Sequence, residues 1–90
     1  MNKQDRKQLQ NIINELEKAW DILESSYDEL SDMASNEEDK YYNLSESLQD
    51  SEKGEQIRYA SDSLQERADE VDTMKDDLRE TIECLEELIY

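Results

Sequence analysis

Leu9, Leu16, Leu23 and Leu30 stand seven residues apart, and Ile13, Trp20, Tyr27 and Ala34 follow each of them by four. No other feature limits the fold as tightly. An α-helix gathers both rows on one face, and a sustained seven-residue repeat marks helices that supercoil around a neighbour. Ile12, Ala19 and Met33 widen the stripe. In the second half Ile57, Leu64, Val71, Leu78 and Leu85 keep the same spacing, flanked by Ala60, Met74 and Leu88 and by Ala68, Ile82 and Ile89. Two amphipathic helices follow, of roughly 35 residues and about 50 Å each at ~1.5 Å per residue.

The repeat breaks at Asn43-Leu44-Ser45-Glu46-Ser47-Leu48-Gln49-Asp50-Ser51, a cluster of turn-forming polar residues. The expected organisation is one domain over 1–90, with a helix over 3–42, a turn over 43–51 and a helix over 52–89. Ser51 suits the N-cap of the second helix, and Glu52 puts an acid near the positive end of its dipole. Gly54, the single glycine, costs stability inside a helix. Either it permits close approach of the loop or it is simply tolerated.

Folding the two stripes antiparallel pairs Leu9 with Leu85, Leu16 with Leu78, Leu23 with Val71 and Leu30 with Leu64, which centres the reversal near residue 47. It also brings Lys3, Arg6 and Lys7 beside Glu83, Glu86 and Glu87, surface pairs contributing under ~1 kcal/mol each. The fold class is all-α, a long antiparallel coiled-coil-like helical hairpin. The second rows, including Trp20, Tyr27, Ile82 and Ile89, exceed what one partner helix can cover. The expectation is therefore a homodimer whose two hairpins form a four-helix bundle.

Composition bounds the chemistry. The chain carries 26 Asp and Glu against 10 Lys and Arg, a net charge of −16, with no histidine, one cysteine, one glycine and no proline. A Ser-His-Asp triad, a Cys-His pair and the usual Cys/His zinc sites all lack their residues, so the expectation is a protein without enzymatic activity, metal or cofactor. Neither Asn36-Glu37-Glu38-Asp39 nor Asp76-Asp77 has the spacing or glycine of a calcium loop. No apolar run approaches ~20 residues and no leader pattern opens the chain, which predicts a cytoplasmic protein without membrane contact and with Cys84 reduced. High charge with low hydrophobicity also suits disorder, but disorder does not produce seven-residue spacing.

The acids are patterned. Glu55, Asp62, Asp69, Asp76 and Glu83 stand seven apart on the side of the second helix away from its apolar stripe, and Glu66, Glu80 and Glu87 interleave on the neighbouring line. A solvated helix ordinarily alternates acids with bases, because like charges at i,i+4 cost a few tenths of a kcal/mol each. Residues 55–90 hold 12 acids against 4 bases. The bland reading is a solvated outer face. The sharper one is a protein imitating nucleic acid, its carboxylates roughly 5–6 Å apart along one face and, on a rod near 45 Å, similar in number to the ~26 phosphates of duplex DNA.

The remaining distinctive residues read mainly as structural. Cys84 precedes a stripe position and is expected at the edge of the helix interface. Trp20 and Tyr27 read as core or dimer-interface aromatics. Tyr41 and Tyr42 either pack with Leu44 and Leu48 to close the bundle end or present a partner-binding patch. Tyr59 points away from the stripe, as a candidate exposed contact.

The central segment Glu38-Asp39-Lys40-Tyr41, Asn43-Leu44, Glu46, Leu48-Gln49, Ser51-Glu52 and Gly54 resembles small uncharacterised acidic phage and prophage proteins that carry a similar motif between two helices. Those proteins often have proline where Ser45 stands here. The resemblance implies a phage origin and a bacterial cytoplasm. By analogy with small acidic phage proteins as a class, it suggests an anti-defence inhibitor of the DNA-mimic or anti-CRISPR kind. The partner expected is a basic nucleic-acid-binding or bacterial defence protein, with no direct nucleic-acid binding by this chain. The alternative is a structural or assembly coiled coil that recruits another protein through its turn or seam.

Overall fold

A computed structural model describes residues 1–90 as three helices, α1 (Lys3–Tyr42), α2 (Glu46–Gln49) and α3 (Glu52–Glu86). α1 begins where the Asn2 side chain accepts the Asp5 backbone N–H at 2.8 Å, and an acid in that first turn complements the dipole. α1 and α3 fold back on each other into a rod of 69 × 14 × 14 Å, with a radius of gyration of 20.1 Å. A compact chain of this length would have about 12 Å. The accessible surface, 6654 Å², exceeds the roughly 5,500 Å² of a globular protein of this mass.

The seam keeps the seven-residue repeat without a stutter. On α1 its positions are Leu9, Ile13, Leu16, Trp20, Leu23, Tyr27, Leu30, Ala34, Glu37 and Tyr41, all buried or half-buried. On α3 they are Gly54, Ile57, Ser61, Leu64, Ala68, Val71, Lys75, Leu78, Ile82 and Leu85, with Ile89 half-buried beyond the helix end. Ile13 and Ile82 are wholly enclosed. The antiparallel register lies close to the expected one, because the Ser61 hydroxyl donates to the Ala34 carbonyl at 3.1 Å across the seam.

The second row therefore differs from expectation. Ile82 is fully buried and Trp20, Tyr27 and Ile89 are half-buried within the hairpin itself, so they do not form an uncovered stripe. The reason lies on α3 opposite the two aromatics, where Lys75 lies over the rings of both Trp20 and Tyr27 and Arg79 over that of Trp20. Among the large aliphatic residues of α1, α3 and the tail, those left outside are Ile22, 66% exposed, and Ile12, Met33, Met74 and Leu88, between 45% and 53% exposed.

The reversal is built rather than loose. The Gln49 side-chain amide donates to the Tyr41 carbonyl at 3.1 Å and the Leu44 carbonyl at 3.4 Å, tying α2 to the end of α1. The Ser51 hydroxyl donates to the Leu48 carbonyl and accepts the Gly54 N–H at 3.3 Å, which caps α3. Gly54 has ordinary helical backbone but no room: a Cβ there would overlap the carbonyl oxygens of Leu48 and Gln49 and lie 2.7 Å from the Gln49 carbonyl carbon. The glycine is a close-approach residue. Most of the turn motif has a structural use.

α3 ends at Glu86, three residues before the expected Ile89. Its last turn holds no basic residue, so Glu83 and Glu86 face the negative end of the dipole with nothing to offset them, and no glycine supplies a C-terminal cap. The tail continues beside the start of α1, where the Arg6 guanidinium donates to the backbone oxygens of Met1 at 2.7 Å and Tyr90 at 2.9 Å. The ion pairs anticipated between Lys3, Arg6 or Lys7 and Glu83, Glu86 or Glu87 do not form. All five ion pairs lie within a single helix. No helix is long and apolar enough to cross a membrane.

Candidate partner-binding face

Because the seam occupies two of every seven positions, the residues on the far side of α3 are fixed by the same repeat. Glu55, Asp62, Asp69, Asp76 and Glu83 are all exposed there, and none takes part in an ion pair. Glu66, Glu80 and Glu87 are exposed beside them. Together they climb the helix in alternating steps of three and four, Asp62-Glu66-Asp69 and Asp76-Glu80-Glu83-Glu87, so successive carboxylates sit roughly 5–6 Å apart at their Cβ atoms. Thr73 interrupts the ladder once and Tyr59 separates Glu55 from the rest.

Basic residues intrude at two places, Arg58 in a cleft with Asp62 and Arg67 between its acidic neighbours. Arg67 bonds Glu66 and Glu70, each at 3.2 Å, and partly neutralises the ladder's middle. Asp69 accepts the Gln65 side-chain amide at 3.0 Å, which orients the carboxylate without removing its charge. Over 69 Å, duplex DNA would carry about 40 phosphates. The numerical match expected for a 45 Å rod with 26 carboxylates therefore lapses, and the spacing along one face is what stays comparable.

The aromatic residues separate into three environments. Tyr41 is half-buried in the seam, with the Arg58 guanidinium 5.8 Å from its ring centroid, while Tyr42 stands edge-on to it at 5.5 Å and is 68% exposed. Glu38, Tyr41, Tyr42, Arg58, Ser61 and Asp62 line one shallow cleft. Leu44 is half-buried and Leu48 47% exposed, so closure of the bundle end is partial. Tyr59, 75% exposed, stands out from the acidic side as its position implies. Cys84 is exposed rather than at the edge of the interface, because one residue along a helix turns a side chain by about 100° away from its neighbour's direction.

Trp20 and Tyr27 hold a feature that apolar patterning did not reveal. The Lys75 ammonium lies 5.3 Å from both ring centroids, and the Arg79 guanidinium 4.6 Å from that of Trp20. Only 14% of the Lys75 side chain is exposed, and it pairs with Asp72 at 3.4 Å. Such cation–π contacts contribute about 0.5–2 kcal/mol each. The signal in the sequence was spacing: counting back by sevens from Ile89 and Ile82 reaches Lys75, Ala68, Ser61 and Gly54. No protein-family model, curated protein or solved structure matches this chain.

Proposed function

We propose that the protein is a non-enzymatic inhibitor, working as a homodimer in the bacterial cytoplasm, whose Asp62 to Glu87 face occupies the basic groove of a nucleic-acid-handling or defence protein of the host. One observation carries the reading: a ladder of exposed carboxylates in which the whole Glu55-Asp62-Asp69-Asp76-Glu83 row lacks a basic partner, on a helix that gains nothing in stability from it. Several like charges held on a rigid rod present an anion whose shape does not have to be assembled on binding, which favours fast, salt-sensitive association. The phage-type resemblance of the turn motif is consistent with such a role.

The test is capture from bacterial lysate at ~50 mM salt with elution towards ~500 mM and competition by duplex DNA, run in parallel with a variant carrying Asp62→Lys, Asp69→Lys, Asp76→Lys and Glu83→Lys. The expected result is a basic protein released by salt and by DNA and absent from the variant. Equal retention by both chains, or indifference to salt and DNA, sinks the proposal. The alternative, an assembly coiled coil recruiting a protein through its turn, draws on the exposure of Tyr42, Leu48 and Tyr59 near the reversal. In that case the four-lysine variant keeps its partner and a Tyr42→Ala, Tyr59→Ala variant loses it.

A further inference from the structure

The seam has two flanks, and they differ. Lys40 and Lys53 line one cleft with Leu44 and Ile57, which places them on the same flank. Counting by sevens from each follows that flank down the rod: Met33, Ser26, Ala19, Ile12 and Asp5 on α1, then Ala60, Arg67, Met74, Thr81 and Leu88 on α3. A supercoiled pair keeps a seven-residue row on one side throughout. The opposite flank, marked by the Glu38 and Arg58 cleft, is charged along its length.

The first flank carries a single acid, Asp5, against three bases, Lys40, Lys53 and Arg67, in a chain of 26 acids and 10 bases. It also carries four of the large apolar residues left outside the hairpin: Ile12 at 45%, Met33 and Met74 at 53%, and Leu88 at 49% exposure. We propose that this flank is the docking surface for a second copy of the chain, laid antiparallel across a two-fold axis perpendicular to the rod, so that α1 packs on α1 and α3 on α3 in a four-helix bundle.

Three observations name a second copy as the occupant. The first is the order along α1, Asp5, Ile12, Ala19, Ser26, Met33, Lys40, which is complementary to its own reverse. About a midpoint beside Leu23, Asp5 comes level with the other copy's Lys40, Ile12 with Met33, and Ala19 with Ser26. An interface across a two-fold axis needs this self-complementarity. The small central pair lets the rods come close, and the outer pair joins opposite charges. The second is room: a long side of the rod projects 69 Å by 14 Å, about 970 Å², enough to supply the ~800 Å² that each partner contributes to an interface of standard size. The third is charge. Docking this flank keeps the α3 acidic row at the margin, where Arg67 shares clefts with Asp62, Glu66 and Asp69, whereas the opposite flank would bring Glu17, Glu24, Glu38, Asp72 and Glu86 against their copies.

The assembly does not depend on the inhibitor reading, and its test is separate. Sedimentation of the full chain at micromolar concentration is expected to give twice the 10.7 kDa monomer, with association strengthened by added salt. Ile12→Glu with Met33→Glu is expected to abolish the dimer while the helix signal in circular dichroism persists, because both residues lie outside the seam. Lys40→Asp alone is expected to weaken the dimer, and Lys40→Asp with Asp5→Lys to restore it. The four-lysine variant of the acidic row is expected to remain dimeric. A monomeric wild-type chain overturns the proposal, as does a dimer that survives Ile12→Glu with Met33→Glu. Failure of the charge swap to restore association overturns the antiparallel arrangement.

Discussion

Replacing Gly54 with alanine reverses the sign of an ordinary helix substitution. In an open helix interior the change gains up to about 1 kcal/mol, because glycine is the costlier residue to order. Here the new methyl would meet the carbonyl groups of Leu48 and Gln49, which are backbone and have no rotamer to yield. α2 must shift instead. Overpacking of this kind costs about 1–3 kcal/mol, and the shift strains the two Gln49 hydrogen bonds to Tyr41 and Leu44, each worth about 0.5–1.5 kcal/mol net. Set against the propensity gain, the expected loss is about 2 kcal/mol, a fall in melting temperature of roughly 8–16 °C for a domain of this size. Thermal melts followed by the far-ultraviolet helix signal, at matched protein concentration, measure it. A Gly54→Ala chain that melts at or above wild type refutes the close-approach argument.

Two further substitutions probe the seam. Ile82→Ala empties a site with no solvent exposure and is expected to cost about 2–5 kcal/mol in urea denaturation, whereas Tyr59→Ser, at a position 75% exposed, should stay within about 0.5 kcal/mol; similar losses at both would refute the burial pattern. Lys75→Met removes an enclosed ammonium with its two ring contacts but also its desolvation cost, so stability is expected to hold within about 1 kcal/mol, with a changed Trp20 fluorescence emission reporting the altered contact. A loss above about 3 kcal/mol would mean that the cation is a net stabiliser of the hairpin.

The helices and their pairing were legible because seven-residue spacing is a direct consequence of packing geometry, and the Leu9 and Ile57 rows state it in apolar residues. The α3 row through Gly54, Ser61, Ala68 and Lys75 was only partly legible, since residue type masked what spacing disclosed. Glycine and serine serve there by being small, and lysine by laying its charge between two rings. Neither role registers on a hydrophobicity scale. Overlooking that row made the Trp20 and Tyr27 side of the stripe look uncovered, although the hairpin by itself buries Ile82 and half-buries Trp20, Tyr27 and Ile89. Exposure of the acidic row followed from the same repeat and needed no further information.

The heptad also sorts charge around the rod, and this gives salt a diagnostic role. Carboxylates on the outer side of α3 repel along the helix, and this repulsion is screened as the Debye length falls from ~10 Å at 0.1 M to ~3 Å at 1 M ionic strength. The hairpin, and any assembly of two chains with a combined charge twice −16, therefore gains from added salt. Capture of a basic partner through the same carboxylates loses by it, since attraction between opposite exposed charges is what the ions screen. An acidic row serving only solubility would show the first response without the second. The two effects differ in sign, so the response of partner capture to salt, measured beside that of self-association, separates a face that recognises cations from one that merely stays in water.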